Sequence, residues 1–341
     1  MVTNTHFEPA PGASTFTRNT VRRVGIRLAA LMLPIAAAPA AQPVILQMSD
    51  LKIAATIPIG KRADWVAITP KAVWIGSKGP NAVSEIDPKT NRVTAVELPG
   101  TPCAGLAVDG DSLWVPLCGE APKLAQIDVN KRRVARVLDL GPAASEGGIA
   151  VGAGSVWLVT DKLGTLARID PVSGAVVQNV QLPAGSYNPV FSQGKVWVTR
   201  VDGAEVTVVD ARTAKVVGHV PVGQRPRFVT AGGGAVWALS QGDGTLSRID
   251  ATDGTPAATI ALNIPGAGGD VAYGDGRVWA TLMGTPLNVV DATKAAVLCQ
   301  WKGAGGDSLN VGHGAVWLTN LMEGTVSRIQ LSDLPAACRA T

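Results

Sequence analysis

Residues 232–250, GGGAVWALSQGDGTLSRID, decide the fold. The stretch holds one short apolar run, a Gly-rich turn on each side of it, and a closing Ile-Asp. It is one copy of a repeat. A tryptophan preceded by Val or Leu recurs at Trp74, Trp114, Trp157, Trp197, Trp237, Trp279 and Trp317, with spacings of 40, 43, 40, 40, 42 and 38 residues. After each tryptophan comes Ile/Val-Asp, at Asp87, Asp128, Asp170, Asp210, Asp250 and Asp291, with Gln330 in the last copy. Each copy resolves into four strands. In the fifth, RFVTA and AVWAL are joined by the Gly turn at 232–234, GTLSRID follows, and PAATIAL forms an outer strand after a further turn. A single unit of this kind cannot bury both its faces, so the pattern predicts a ring of such units. The fold class is all-β: a seven-bladed β-propeller with four antiparallel strands per blade.

The chain ends predict how the ring closes. AATIPIGKRADWVAI (54–68) reads like VVGHVPVGQRPRFVT (216–230), so it begins with an outer strand that lacks its own three inner ones. The seventh copy supplies only three strands, SLNVG, AVWLT and TVSRIQL. The N-terminal strand is therefore expected to complete the last blade and leave no open edge.

Composition agrees with short strands and many turns: 39 Gly, 23 Pro and only 16% charged residues. Residues 1–40 read as a signal peptide. Four arginines in RNTVRRVGIRLAALMLPIAAAPAA (18–41) precede an apolar segment, and Ala38-Pro39-Ala40 forms an A-x-A cleavage site. The apolar run is too short for a permanent anchor, so the expected location is periplasmic or secreted, with no transmembrane anchor after cleavage near Ala40. Cleavage removes Arg18, Arg22, Arg23 and Arg27 against Glu8. The mature chain keeps 26 basic and 25 acidic residues, with no basic stripe to suggest nucleic acid. The expected division is a short segment at 41–51, the propeller at 52–332 and a tail at 333–341.

Blades such as GIAVGAGSVWLVTDKLGTLARIDPVSG (148–174) resemble the YVTN and streptogramin (virginiamycin B) lyase-like group of seven-bladed propellers. The resemblance covers about residues 52–332. It is specific for fold and poor for function, since these folds host lyases, lactonases and pure binding modules.

The repeated residues read as scaffold. The seven tryptophans fill the wedges between blades, and each Asp opens a turn such as DPVSG (170–174) whose backbone N–H groups it caps. Function is expected where the repeat breaks, in loops sharing one face at the central channel. The loops before the inner strands supply Asp64, Trp65, Glu146, Tyr187, Asn188, Arg225, Arg227, Asp270, Asp307 and Ser308. The ends of the second strands supply Lys78, Asp161, Arg200, Gln241 and Asn320. With Arg200, Arg225 and Arg227 as anion clamps, this set suits a small polar or anionic ligand, or an envelope protein partner, bound by a monomer. Scaffolding through the rim is a further reading.

The resemblance also implies an alternative, a lyase or lactone hydrolase. Lyases of this group use a metal with His and Glu near the channel, the His standing in PHG ahead of an inner strand. The corresponding places here read SEGG (145–148), RPRF (225–228) and GGDS (305–308). His219 and His313 lie in an outer strand and in a turn of the opposite face. No metal ligand set is assigned and no cofactor is expected. An enzyme would rely on carboxylates, and Asp64, Asp270, Asp307 and Asn320 would supply oxygens for a divalent cation.

Four cysteines in an exported chain favour disulfides. With Gly110-Asp111 as the hairpin turn, residues whose numbers sum to 221 face each other, which sets Cys103 opposite Cys118. Cys299, in an outer strand, and Cys338, in the tail, form the second pair.

Overall fold

The computed structural model describes residues 42–266 and 268–339. The expected leader and cleavage site lie outside the described residues. Seven antiparallel sheets follow one another along the chain. The inner strand of each blade lies beside that of the next, and the inner strand of blade 1 touches those of both blade 2 and blade 7, so the ring is closed.

Blade 5 shows why the repeat folds this way. Its strands are Pro226–Gly232, Ala235–Ser240, Thr245–Asp250 and Pro256–Ala261, paired in that order. The first hairpin turns on Gly233 and Gly234, with φ of +62° and +74°. Both positive values are what a tight turn between twisted strands requires. The strand Ala235–Ser240 is buried along its whole length, because neighbouring blades cover both its faces. Trp237 lies in a core shared with Val271 and Val278 of blade 6. Its Nε1 donates to Gly232 O at 3.2 Å, and the Arg248 guanidinium lies 5.7 Å from its ring centre. Trp157, Trp197, Trp279 and Trp317 bond the same carbonyl position in their own blades. All six repeated Asp residues cap the turn that follows them, as Asp170 does for Val172 and Ser173.

Ala55–Pro58 pairs antiparallel with the third strand of blade 7, Ala55 opposite Arg328 and Pro58 opposite Thr325, and buries Ile57. This is the expected closure. The segment before it does something the repeat does not announce. Val44–Gln47 runs parallel to the outer strand of blade 6, Ala296–Lys302, as a fifth strand. Leu46 and Met48 pack there against the core between blades 6 and 7.

Both expected disulfides form, Cys103–Cys118 and Cys299–Cys338, spanning 15 and 39 residues. Loop-closure entropy puts their stabilisation at about 3 and about 4 kcal/mol. They are compatible with an extracellular compartment, and among the described residues no helix is long and apolar enough to cross a membrane. The second bridge ties the tail, through the turn Ala336–Cys338, to blade 6. The first corrects the register expected for blade 2. The sum of 221 holds from Asp109 to Ala107, but Cys118 faces Thr101 and not Cys103. Between Pro102 and Ala107 the chain leaves the sheet toward blade 3. There Cys103 O accepts from Glu146 N at 2.7 Å, and Gly105 N donates to Gly147 O at 2.8 Å. The bridge therefore crosses the ladder diagonally, with Cα atoms 5.7 Å apart.

Candidate functional site

The inner strands of the blades, with the Gly105–Leu106 segment of blade 2, line a channel cavity of about 300 Å³. At its wall Trp65 interrupts the pairing of Arg62–Ile68 with Val73–Lys78, as the extra residue between Asp64 and Val66. Its φ is +59°, rare for a bulky side chain. The ring faces Phe228 across the channel, centroids 6.5 Å apart. Its Nε1 is buried and has no hydrogen-bond partner among the described residues.

Three acids from adjacent blades are laced together at the channel. Asp64 is buried; its Oδ1 accepts from Trp65 N at 2.8 Å and from Ser308 Oγ at 2.7 Å. Asp307, one residue before Ser308, accepts from Gly269 N at 3.4 Å. Asp270, one residue after Gly269, accepts from Val271 N at 2.8 Å. Blades 1, 7 and 6 thus contribute one carboxyl each at adjoining positions, linked through Ser308 Oγ and Gly269 N and not to one another. Desolvation pushes the Asp64 carboxyl well above its ordinary range, and the charges of Asp307 and Glu146 push it further. Desolvation likewise raises Asp270 to about 7, with Asp307 and Glu146 adding to it against two backbone N–H bonds. Glu146 and Asp307 are raised by burial too; Arg227 and Lys78 offset this at Glu146, and the Gly269 N–H and Lys78 at Asp307.

The other side of the mouth is built around Arg227. Its Nη2 donates to Tyr187 Oη at 2.9 Å, its guanidinium lies 5.0 Å from the Tyr187 ring centre and 5.8 Å from that of Phe228, and Tyr187 Oη donates to Ser145 O. The backbone carbonyl of Arg227 accepts from Asn188 Nδ2 at 2.7 Å and Thr199 Oγ1 at 3.1 Å. Asn188 is 4% exposed, and its Oδ1 is buried without a partner among the described residues. A methyl group at Gly148 would come within 2.5 Å of that oxygen. Only glycine lets the backbone there pack so close to it.

Glu146 and Arg225 hold left-handed backbone, φ +63° and +53°, where the equivalent loops of blades 4, 6 and 7 use Gly185, Gly268 and Gly305. A side chain there costs about 1–2 kcal/mol. Glu146 is half-buried at the mouth and Arg225 exposed. Three other expected positions do local work. Arg200 pairs with Glu205 at 3.2 Å and donates to Ala184 O. Asn320 accepts from Gly306 N and donates to Thr325 and Ser327 within blade 7. Asp161 caps its own turn. Gln241 donates to Gly268 O at 2.6 Å, tying blade 5 to blade 6. His219 faces Glu205 and Thr207 on the outer strand, and His313 meets Thr69 O from a bottom turn.

The structure therefore brings Asp64, Trp65, Glu146, Tyr187, Asn188, Arg227, Asp270 and Asp307 to the mouth, together with Phe228 and Ser308. Lys162, beside Arg200 and Arg227 in a side cleft, escaped sequence reading because it sits inside a turn that varies freely between blades. Among the described residues no three or more of His, Cys, Asp and Glu are placed to hold a metal ion. No family model matches the chain, and no curated protein matches it.

Proposed function

We propose that this propeller is an exported binding protein whose channel mouth takes a small polar ligand carrying a cationic nitrogen at the Asp64–Asp307–Asp270 row. The repeat supports a place in the YVTN and streptogramin-lyase-like group, and four paired cysteines support export through removal of the leader. One observation carries the binding reading. Acids from three adjoining blades, with Asp270 in the channel wall, stand beside a channel where Asn188 and Trp65 keep buried polar atoms unpartnered. Burying such atoms without partners is costly, and a ligand that supplies both a hydrogen bond and a positive charge removes that cost.

The protonation of Asp270 gives the reading a signature. A cationic ligand favours the ionised carboxyl, so binding releases a proton and affinity rises with pH up to about 7, then levels. Calorimetric titration of the mature protein with ethanolamine, choline and lysine between pH 5.5 and 8 tests it. Binding that tightens with pH, and is lost in Asp270→Asn, is the expected result. Indifference to all three amines removes the reading.

A second reading rests on the same carboxyl. With Asp270 pushed up to about 7 in the channel wall, the site holds a group suited to proton transfer near neutrality, as a lactone hydrolase or ester-opening lyase requires. Turnover of a lactone panel, abolished by Asp270→Asn, distinguishes it from binding alone.

A further inference from the structure

Two clefts open beside the mouth on nearly opposite sides of the ring, and they differ in chemistry. Between blades 6 and 7 lies a cleft of about 220 Å³ floored by glycines, flanked by Met283 and Met322, with Asp307 and Glu323 as its charges. Between blades 3 and 4 lies a larger one of about 580 Å³, whose charged lining is Lys162, Arg200, Arg227 and one acid, Asp202. The geometry points to an anion site in this second cleft: it takes the carboxylate or phosphate of an organic ligand whose flat apolar part lies against Tyr187.

Arg227 is the centre of that site. A guanidinium presents a rigid fork that matches planar oxyanions, but a free arginine must give up rotamer freedom to use it. Here that freedom is lost on folding. Tyr187 and Phe228 flank the guanidinium, Tyr187 Oη takes one N–H, and Asn188 and Thr199 hold the backbone carbonyl. Arg227 makes no ion pair within 4 Å among the described residues, and its Nε is buried without a hydrogen-bond partner. A charged donor held in place and left short of acceptors is what an anion site needs before its ligand arrives. Arg200 cannot duplicate the role, since Glu205 and Ala184 O already engage it. The exposed Lys162 adds positive potential at the outer end, while Tyr187 offers a flat face inside.

The inference rests on the ligand-binding reading of the mouth only for what lies at the ligand's other end. Asn188 Nδ2 donates to Arg227 O at 2.7 Å and to Glu146 O at 3.5 Å, so the cleft reaches the mouth beside Glu146. A ligand engaging both is a zwitterion, an organic acid with a cationic nitrogen.

The test uses probes that carry one feature each. Benzoate and phenyl phosphate present a ring with an anion, benzamide the ring alone, and ethanolamine the cation alone. Calorimetry on the mature protein, with the Arg Nε–H resonances followed by NMR, reads all four. Benzoate or phenyl phosphate should bind at least tenfold more tightly than benzamide and shift one arginine resonance, the stronger of the two identifying the anion. Arg227→Lys, which keeps the charge but loses the fork, should weaken the anion at least tenfold. Lys162→Glu, at an exposed position that leaves folding intact, should weaken it several-fold. Asp270→Asn should leave benzoate unchanged while abolishing ethanolamine binding. Benzamide binding as well as benzoate, or full anion affinity in Arg227→Lys and Lys162→Glu, overturns the anion site. Failure of the unsubstituted protein to bind ethanolamine, with benzoate binding intact, overturns the acid-row reading and leaves the cleft standing.

Discussion

Trp237 and Trp65 are both buried indoles of the propeller, 0% and 4% exposed, yet every local feature separates them. Trp237 lies in regular extended backbone, donates to Gly232 O, and carries Arg248 over its face. Trp65 is the bulge residue of its strand, at φ +59°, with its Nε1 unpartnered and its ring turned to the channel. One has all its requirements met by the blade that makes it. The other is held in a conformation that its own strand disfavours, with a donor the protein does not use. Strain and unmet polar groups that persist in a well-packed fold mark the places where something besides stability sets the residue. The comparison is not absolute, since Trp74 and Trp114 in the ring also lack a partner for Nε1. Those two sit in regular strands within the core, where burial of the ring, and for Trp114 the Arg136 guanidinium over its face, holds them.

The comparison can be broken most directly by truncation. Trp237→Ala should cost about 3–5 kcal/mol in urea unfolding, because it opens a cavity between two blades. Trp65→Ala should cost less than half of that while weakening amine binding at least tenfold; equal losses in stability would erase the distinction. Next in size, replacing both Cys103 and Cys118 by alanine should cost about 3 kcal/mol. It should also weaken binding, since Cys103 O anchors the backbone of Glu146.

A third test uses pH. Between the ordinary carboxylate range near 4 and about 7, folded Asp270 keeps a proton that the unfolded chain has lost, so stability falls as pH rises through that window. The scaffold acids behave in the opposite sense. Turn N–H groups hold Asp87, Asp128, Asp170 and Asp210 below the ordinary range, so their contribution is present above it and lost on acidification. Urea unfolding of Asp270→Asn should show a shallower slope between pH 4 and 7, the remainder coming from Asp64, Glu146 and Asp307, and keep the acid limb.

Smaller effects sharpen the same division. Glu146→Gly should gain about 1 kcal/mol by relieving left-handed backbone, and lose ligand affinity. Asp250→Ala, which frees the N–H groups of Thr252 and Asp253, should cost about 1 kcal/mol and leave binding untouched. A stable Glu146→Gly protein with unchanged affinity would remove Glu146 from the site.

Several of the site residues were visible in the chain as departures from the repeat. Asp64, Glu146, Arg227 and Asp307 stand out because the matching positions of other blades hold different residues. Arg200 and Asn320 stand out equally, yet their side chains are taken up by Glu205 and by blade 7. A broken repeat marks a position freed from the scaffold, but not the direction in which its side chain is spent. Lys162 and the fifth strand of blade 6 left no such mark, the first because turns vary freely, the second because Val44–Gln47 lies outside the repeat.

The sequence by itself determined the blade, the number of blades, the closing strand and the cysteine partners. All of these follow from periodicity, strand count and pairing, which are properties of short segments and their order. The tertiary structure alone decided that Asp64, Asp307 and Asp270 form one row, that Cys118 faces Thr101, and that Arg227 is clamped while Arg200 is neutralised. Those outcomes depend on the rotation between successive blades and on bulges at Trp65 and Cys103–Leu106. A one-residue change in local register there moves a side chain from the channel to the core, and no pattern within a single blade records it.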